Sequence, residues 1–93
     1  MLTFEKILTV FRDYLNKDER YEILITSRGY TVMEWDSVQK DWAGAQFCPT
    51  PEKMKNILLE AFTGYLEYQV FLGNAHMTPE DIKDEVQALS DIL

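Results

Sequence analysis

The chain has 93 residues and a mass of 10.9 kDa, which is enough for one domain around a single small core. Sixteen acidic residues against nine basic ones give a net charge of −7, so nucleic acid is not an expected partner. One cysteine excludes an internal disulfide, and no apolar run has the length of a membrane span. Glu5 interrupts the stretch that a signal peptide would need, so we expect a cytoplasmic protein without membrane association.

The negative charge is concentrated in the C-terminal part of the chain. Residues 1–55 contain nine acids and eight bases, whereas residues 56–93 contain seven acids and one base, Lys83. The second segment therefore carries a net charge of −6 and the first only −1. This asymmetry predicts an anionic surface built by the C-terminal elements.

The first predicted helix runs from about Phe4 to Leu15. Its apolar residues recur at helical spacing, and Thr3 can cap its start through the side-chain oxygen. The polar run 16–19 then ends the periodicity. The residues of the apolar face are Phe4, Ile7, Leu8, Phe11 and Leu15.

From Tyr21 onward, successive side chains alternate between two faces with a period of two. Residues 27–29 interrupt this alternation, and it then continues, which predicts a β-hairpin. A two-residue turn at Arg28 and Gly29 would place Ile23 opposite Glu34. A three-residue loop with Gly29 in the left-handed conformation instead pairs apolar residues with one another. We favour this second register, whose pairs are Tyr21 with Trp35, Ile23 with Met33 and Ile25 with Thr31. The opposite face, open to water or a partner, would then carry Glu22, Leu24, Thr26, Tyr30, Val32 and Glu34.

The segment 42–48 predicts a weaker third strand, followed by a strong helix start at Thr50 and Pro51. Apolar residues cover roughly 200° of this second helix, so it should be covered from two sides and occupy the centre of the domain. Gly73 and Asn74 end it.

A third helix begins after Thr78, with Asp81 at the position of a capping box, and buries a single apolar stripe. The element order is therefore α-β-β-β-α-α. We expect one α+β domain over residues 1–93, a three-stranded antiparallel meander packed with three helices.

The histidine, cysteine and carboxylate residues are not spaced as in known catalytic or metal-binding motifs. His76, the only histidine, has no cysteine or carboxylate at ligand spacing, and we interpret it as a loop residue. Cys48 is best interpreted as a buried small apolar residue. We therefore expect no enzymatic activity, no metal and no cofactor. A small enzyme is the least favoured of three hypotheses, and a pocket holding Cys48 and His76 together would revive it.

Carboxylates and unplaced aromatic rings predict a protein-binding surface. The carboxylates lie on the outer faces of the second and third helices and would attract a basic protein. Aromatic residues without an evident place in the core would add affinity for this partner. Alternatively, they would form the interface of a homodimer. The expected partner-binding residues are Glu60, Glu67, Phe71, Glu80, Asp84, Asp91, Tyr30 and Trp42.

The order α-β-β-β-α over about residues 4–72 resembles the double-stranded-RNA-binding domain, which implies duplex RNA as an alternative ligand. That family uses a lysine cluster at the start of its last helix. The corresponding segment here, residues 51–56, has two lysines beside Glu52, and the chain beyond it is strongly acidic. The resemblance is therefore one of topology.

Three segments resemble small, uncharacterised acidic accessory proteins of phages and conjugative elements of Gram-positive bacteria. The segments are residues 50–55, 61–65 and 78–81. This resemblance implies a cytosolic accessory role, in which the basic partner is a nucleic-acid-binding protein whose DNA site this chain occupies.

Overall fold

The elements of the fold, in a computed structural model that describes residues 1–93, follow the predicted order. The three strands form one antiparallel sheet in the order β1-β2-β3, so the α+β class and the meander are confirmed. The elements are α1 (Phe4–Lys17), β1 (Tyr21–Thr26), β2 (Gly29–Asp36), β3 (Asp41–Cys48), α2 (Pro51–Phe71) and α3 (Pro79–Ile92).

Each helix begins at a threonine whose hydroxyl oxygen accepts a hydrogen bond from an otherwise unpaired backbone N–H. Thr3 caps α1 and Thr50 caps α2 in this way. Thr78 and Asp81 form the predicted capping box of α3, with mutual bonds of 2.9 and 3.1 Å. The three predicted helix starts are confirmed.

The end of α2 is fixed by a left-handed glycine, Gly73, with φ of 80°. The Gly73 N–H donates to the Val70 carbonyl, and the Asn74 N–H donates to the Gln69 carbonyl at 2.9 Å. These two bonds form a Schellman motif, which satisfies carbonyls that the helix end leaves unpaired.

The core lies between one face of the sheet and the helices α1 and α2. Residues from all three contribute, and α2 packs against α1 on one side and α3 on the other, as its wide apolar arc predicts. The buried apolar side chains of the core are Ile7, Phe11, Tyr14, Val32, Cys48, Met54, Ile57, Leu58 and Ala61. No helix combines the length and the apolar character that crossing a bilayer requires.

The register favoured from the sequence is wrong by one residue. Thr26 pairs directly with Gly29, so the hairpin loop contains only Ser27 and Arg28. The Thr26 hydroxyl closes this turn, accepting from the Arg28 N–H and donating to the Gly29 carbonyl, each at 3.2 Å. Gly29 does adopt a positive φ, 123°, but it does so inside the strand ladder rather than in the loop.

This shift reverses the two faces of β2, because side chains alternate with a period of two. Val32 pairs with Ile23 and is buried, and Tyr30 pairs with Ile25. The ring of Tyr30 stacks on Phe4 at 4.6 Å between centroids. Tyr30 and Val32, expected on the open face, therefore face the helices.

The opposite side of the sheet, which we call the outer sheet face, has no helix packed against it. Its outward residues come from all three strands, and an irregularity between β2 and β3 sets Trp35 opposite Trp42. Met33 and Trp35, which the favoured register placed on the same face as Tyr21 and Ile23, belong instead to the outer sheet face. The outer sheet face comprises Glu22, Leu24, Thr26, Thr31, Met33, Trp35, Trp42, Ala45 and Phe47.

Candidate interaction surfaces

The first candidate surface, which we call the acidic helical face, consists of Glu60 and Glu67 on α2 with Glu80, Asp84 and Asp91 on α3. All five side chains are exposed, and none forms an ion pair. The single salt bridge of the structure joins Arg20 to Asp18, far from these residues in sequence. The negative charge of the C-terminal segment is therefore left open to solvent.

The acidic helical face curves around α3 and is not one flat patch. Glu67 lines a groove of about 390 Å³ between α2 and α3, together with Lys83. Asp84 lies beside a different depression, next to His76. Asp91 accepts a hydrogen bond of 2.8 Å from the Gln87 amide. No group of three or more potential ligands is arranged to hold a metal ion.

Phe71 lies at the C-terminal end of α2, beyond the core. Its ring is 81% exposed and stacks on Tyr68 with 6.3 Å between centroids. The guanidinium of Arg20 lies 5.7 Å from the ring centroids of both Tyr68 and Tyr21, so a cation–π contact ties this end of α2 to the start of β1. Phe71 is thus an exposed aromatic side chain that stacks on Tyr68, which is itself in contact with Arg20.

Trp42 lies on the outer sheet face, where its ring packs edge-on against Trp35 at 5.1 Å. Phe47 and Leu24 lie on the same face, each 41% exposed like Trp42. The structure therefore does not bring the three expected aromatic residues together. Trp42, Phe71 and the inward-facing Tyr30 occupy three different places.

The sequence did not predict that the outward residues of the three strands form one largely apolar face. Because both faces of the hairpin carry apolar side chains, the alternation could not decide which one faces the helices. The cross-strand pair of Trp35 and Trp42 is the signal that would have found it, since aromatic pairs favour opposite positions on one face.

A buried polar cluster joins the end of α1 to β1 and was also missed. The Tyr14 hydroxyl donates to the Asp18 carboxylate at 2.6 Å, and Arg20 donates to the same carboxylate through its backbone N–H and its guanidinium. Asp18 is only 4% exposed, and no buried side-chain polar atom in the structure lacks a partner. The cluster therefore stabilises this junction.

The protonation of this cluster follows from its surroundings. Burial, reinforced by the hydrogen bond to Asp18, raises the pKa of Tyr14 far above its ordinary value of 10.0. The hydrogen bond to Asp18 raises the pKa of Arg20, against a smaller opposing effect of burial. Tyr14 is thus a neutral donor to Asp18 at physiological pH.

Cys48 and His76 are not brought together. Cys48 is 1% exposed at the end of β3, and burial raises the pKa of its thiol, with Lys53 opposing that shift. His76 is exposed in the segment between α2 and α3. None of the cavities is lined by both residues.

Comparison with known proteins gives no family assignment. No protein-family model matches this chain, and no curated protein or solved structure matches it.

Proposed function

We propose that this chain is a cytosolic, non-enzymatic protein-interaction module that binds a basic protein through the acidic helical face. The observation that carries the proposal is that Glu60, Glu67, Glu80, Asp84 and Asp91 are all exposed and form no ion pair. Had arginines or lysines of the N-terminal half neutralised them, the surface would offer little attraction to a cation.

The distribution of charge supports recognition of a basic surface in particular. The segment that forms α2 beyond residue 55 and α3 carries a net charge of −6, and Lys83 is its only base. A surface of one sign steers an oppositely charged partner toward itself and repels partners of the same sign. Duplex RNA is disfavoured for the same reason.

The aromatic pair at the end of α2 supplies the apolar contact that charge alone lacks. Phe71 is 81% exposed, and its ring is already stacked on Tyr68. Exposed aromatic rings that are held in place contribute affinity at a low cost in conformational entropy. In this proposal the carboxylates set the orientation of the partner and Phe71 sets much of the affinity.

The cellular role follows from the resemblance to acidic accessory proteins of phages and conjugative elements. We propose a nucleic-acid-binding protein as the basic partner, with this chain occupying its DNA site. Such a site is a lysine- and arginine-rich surface, which is the complement of the acidic helical face.

The first experiment measures binding of a lysine-rich peptide across salt concentrations. The test variant combines Glu67→Gln, Asp84→Asn and Asp91→Asn. The matched control removes the same three charges from the N-terminal half, with Glu5→Gln, Asp13→Asn and Glu19→Gln, all exposed positions. We expect about tenfold weaker binding for the test variant at low salt and little change for the control.

Two results would contradict the proposal. The first is an affinity that does not change between about 0.05 and 0.5 M salt, because exposed charges are strongly screened over that range. The second is equal weakening by the test and control variants, which would show that only net charge matters. A clear gel shift with duplex RNA at physiological salt would instead favour the RNA-binding alternative.

The partner itself is sought by a pull-down from the native host with the wild-type chain and the test variant. The captured protein has to bind the purified chain with the same dependence on salt and on the three carboxylates. A captured protein that binds both variants equally would not be the partner proposed here.

A further inference from the structure

We infer that a second copy of this chain covers the outer sheet face, so that the protein is a homodimer whose acidic helical faces point outward. This inference does not depend on the proposed function, because it concerns the opposite side of the molecule. It is carried by three observations, which are the apolar character of the face, the presence of a single charged residue on it and the exposed area of the whole chain.

The outer sheet face is largely apolar, and two of its side chains, Trp35 and Trp42, already pack against each other within one chain. Trp35 and Trp42 pack edge to face, and Met33 lies on the central strand between its neighbours. Leu24, Trp42 and Phe47 each remain 41% exposed. An apolar face that spans all three strands of a sheet is the kind of surface that proteins bury against a partner.

The face carries almost no charge on a chain whose net charge is −7. Glu22 is the only charged residue among its outward positions. A basic partner would find only Glu22 to pair with there, and two identical copies would bring only this one carboxylate each to the interface. A neutral, apolar face therefore suits a second copy better than a cationic protein.

The exposed area of the chain matches what a dimer interface removes. The accessible surface is 6416 Å², whereas a compact monomer of 10.9 kDa is expected to expose about 5,600 Å². The excess of about 800 Å², summed over the whole chain, is of the size that one partner buries in an interface of standard size. The fold is also thin, with a smallest extent of 17 Å, and only 11 residues are buried.

The shape of the molecule is consistent with pairing of the sheets. Two sheets packed face to face lie about 10 Å apart and form a core between them. A twofold axis through the outer sheet face would turn two thin domains into four layers, with helices outside and sheets inside. Such an isologous interface is the commonest arrangement among homodimers.

The test measures mass by sedimentation equilibrium at several loading concentrations up to about 100 μM. We expect the wild-type chain to have twice its 10.9 kDa mass, with a dimer Kd of about 1 μM or below. The test variant is Phe47→Glu, and the matched control is Phe71→Glu. Both change an exposed phenylalanine to glutamate, but only Phe47 lies on the outer sheet face.

We expect Phe47→Glu to weaken the dimer by about 50-fold, because the twofold interface would have to bury two unpaired carboxylates, one from each copy. Phe71→Glu should leave it unchanged. Far-UV circular dichroism checks that each variant is folded. If Phe47→Glu is not, Leu24→Glu places the same charge on the same face from β1.

A second readout reports on the face directly, since Trp35 and Trp42 are the only two tryptophans of the chain. Their fluorescence emission should shift to shorter wavelengths as the protein concentration is raised and the dimer forms. A wild-type chain that stays monomeric at about 100 μM would overturn the inference. Dissociation by Phe71→Glu with a dimeric Phe47→Glu would overturn it as well, because the interface would then lie at the end of α2.

Discussion

Replacing Tyr14 by phenylalanine tests the buried cluster, and its effect should depend on pH. The Tyr14 hydroxyl is the donor of a 2.6 Å hydrogen bond to the carboxylate of Asp18, and the side chain is 6% exposed. A hydrogen bond to a charged acceptor contributes about 2 kcal/mol. Because Asp18 keeps its bonds from Arg20 in the variant, Tyr14→Phe should lower the free energy of unfolding at pH 7 by about that amount.

At high pH the cost of the substitution should shrink. The pKa of Tyr14 is raised in the native state, so the folded chain keeps a proton that the unfolded chain releases above pH 10. The stabilisation is therefore complete below about pH 10 and is lost as the pH rises toward the native pKa. At pH 11 the wild-type chain should have lost about 1.4 kcal/mol from this group, which Tyr14→Phe cannot lose.

The assay is urea unfolding of both proteins, followed by far-UV circular dichroism at about pH 7 and pH 11. We expect a difference of about 2 kcal/mol at the lower pH and about 0.6 kcal/mol at the higher one. Tyr65→Phe is the control, since Tyr65 packs against the ring of Tyr14 but its hydroxyl makes no hydrogen bond. An equal difference between wild type and Tyr14→Phe at both pH values would refute the reasoning.

Three further predictions concern the core, the thiol and a helix cap. Leu58→Ala should lower the free energy of unfolding by about 3 kcal/mol, because Leu58 is fully buried. Leu72→Ala, at a half-exposed position, should lower it by less than about 1 kcal/mol. Equal losses for the two variants in urea unfolding would contradict this prediction. Cys48 should react with iodoacetamide at about pH 8 only slowly in the native chain and rapidly in urea, and equal rates would show that the thiol is accessible. Thr78→Ala should destabilise α3 by about 1 kcal/mol, measured by amide exchange, while Thr9→Ala, away from any cap, should not.

The helices were predictable from the sequence because their signals are local. Thr50 with Pro51, and Thr78 with Asp81, fix two helix starts through bonds that span three residues. The wide apolar arc of α2 likewise predicted its central place, because such an arc needs cover from two sides. These features depend on residues near one another in the chain.

The register of the hairpin was not predictable because the deciding contacts are distant in sequence. Val32 and Met33 are similar in apolar character, so either could face the helices. The stacking of Tyr30 on Phe4 and the burial of Val32 against the helices select one of them. Composition alone could not place Asp18 inside, since a buried carboxylate depends on donors that only the folded chain supplies.

The placement of α3 at the margin of the fold has a consequence for its local stability. This helix packs chiefly against α2 and has a single buried side chain, Ile82, which is still 8% exposed. Elements with so few buried contacts open at a lower free energy than the rest of a domain. Since α3 bears Glu80, Asp84 and Asp91, a ligand that binds there would close this subglobal opening, and slower amide exchange along α3 would map its footprint.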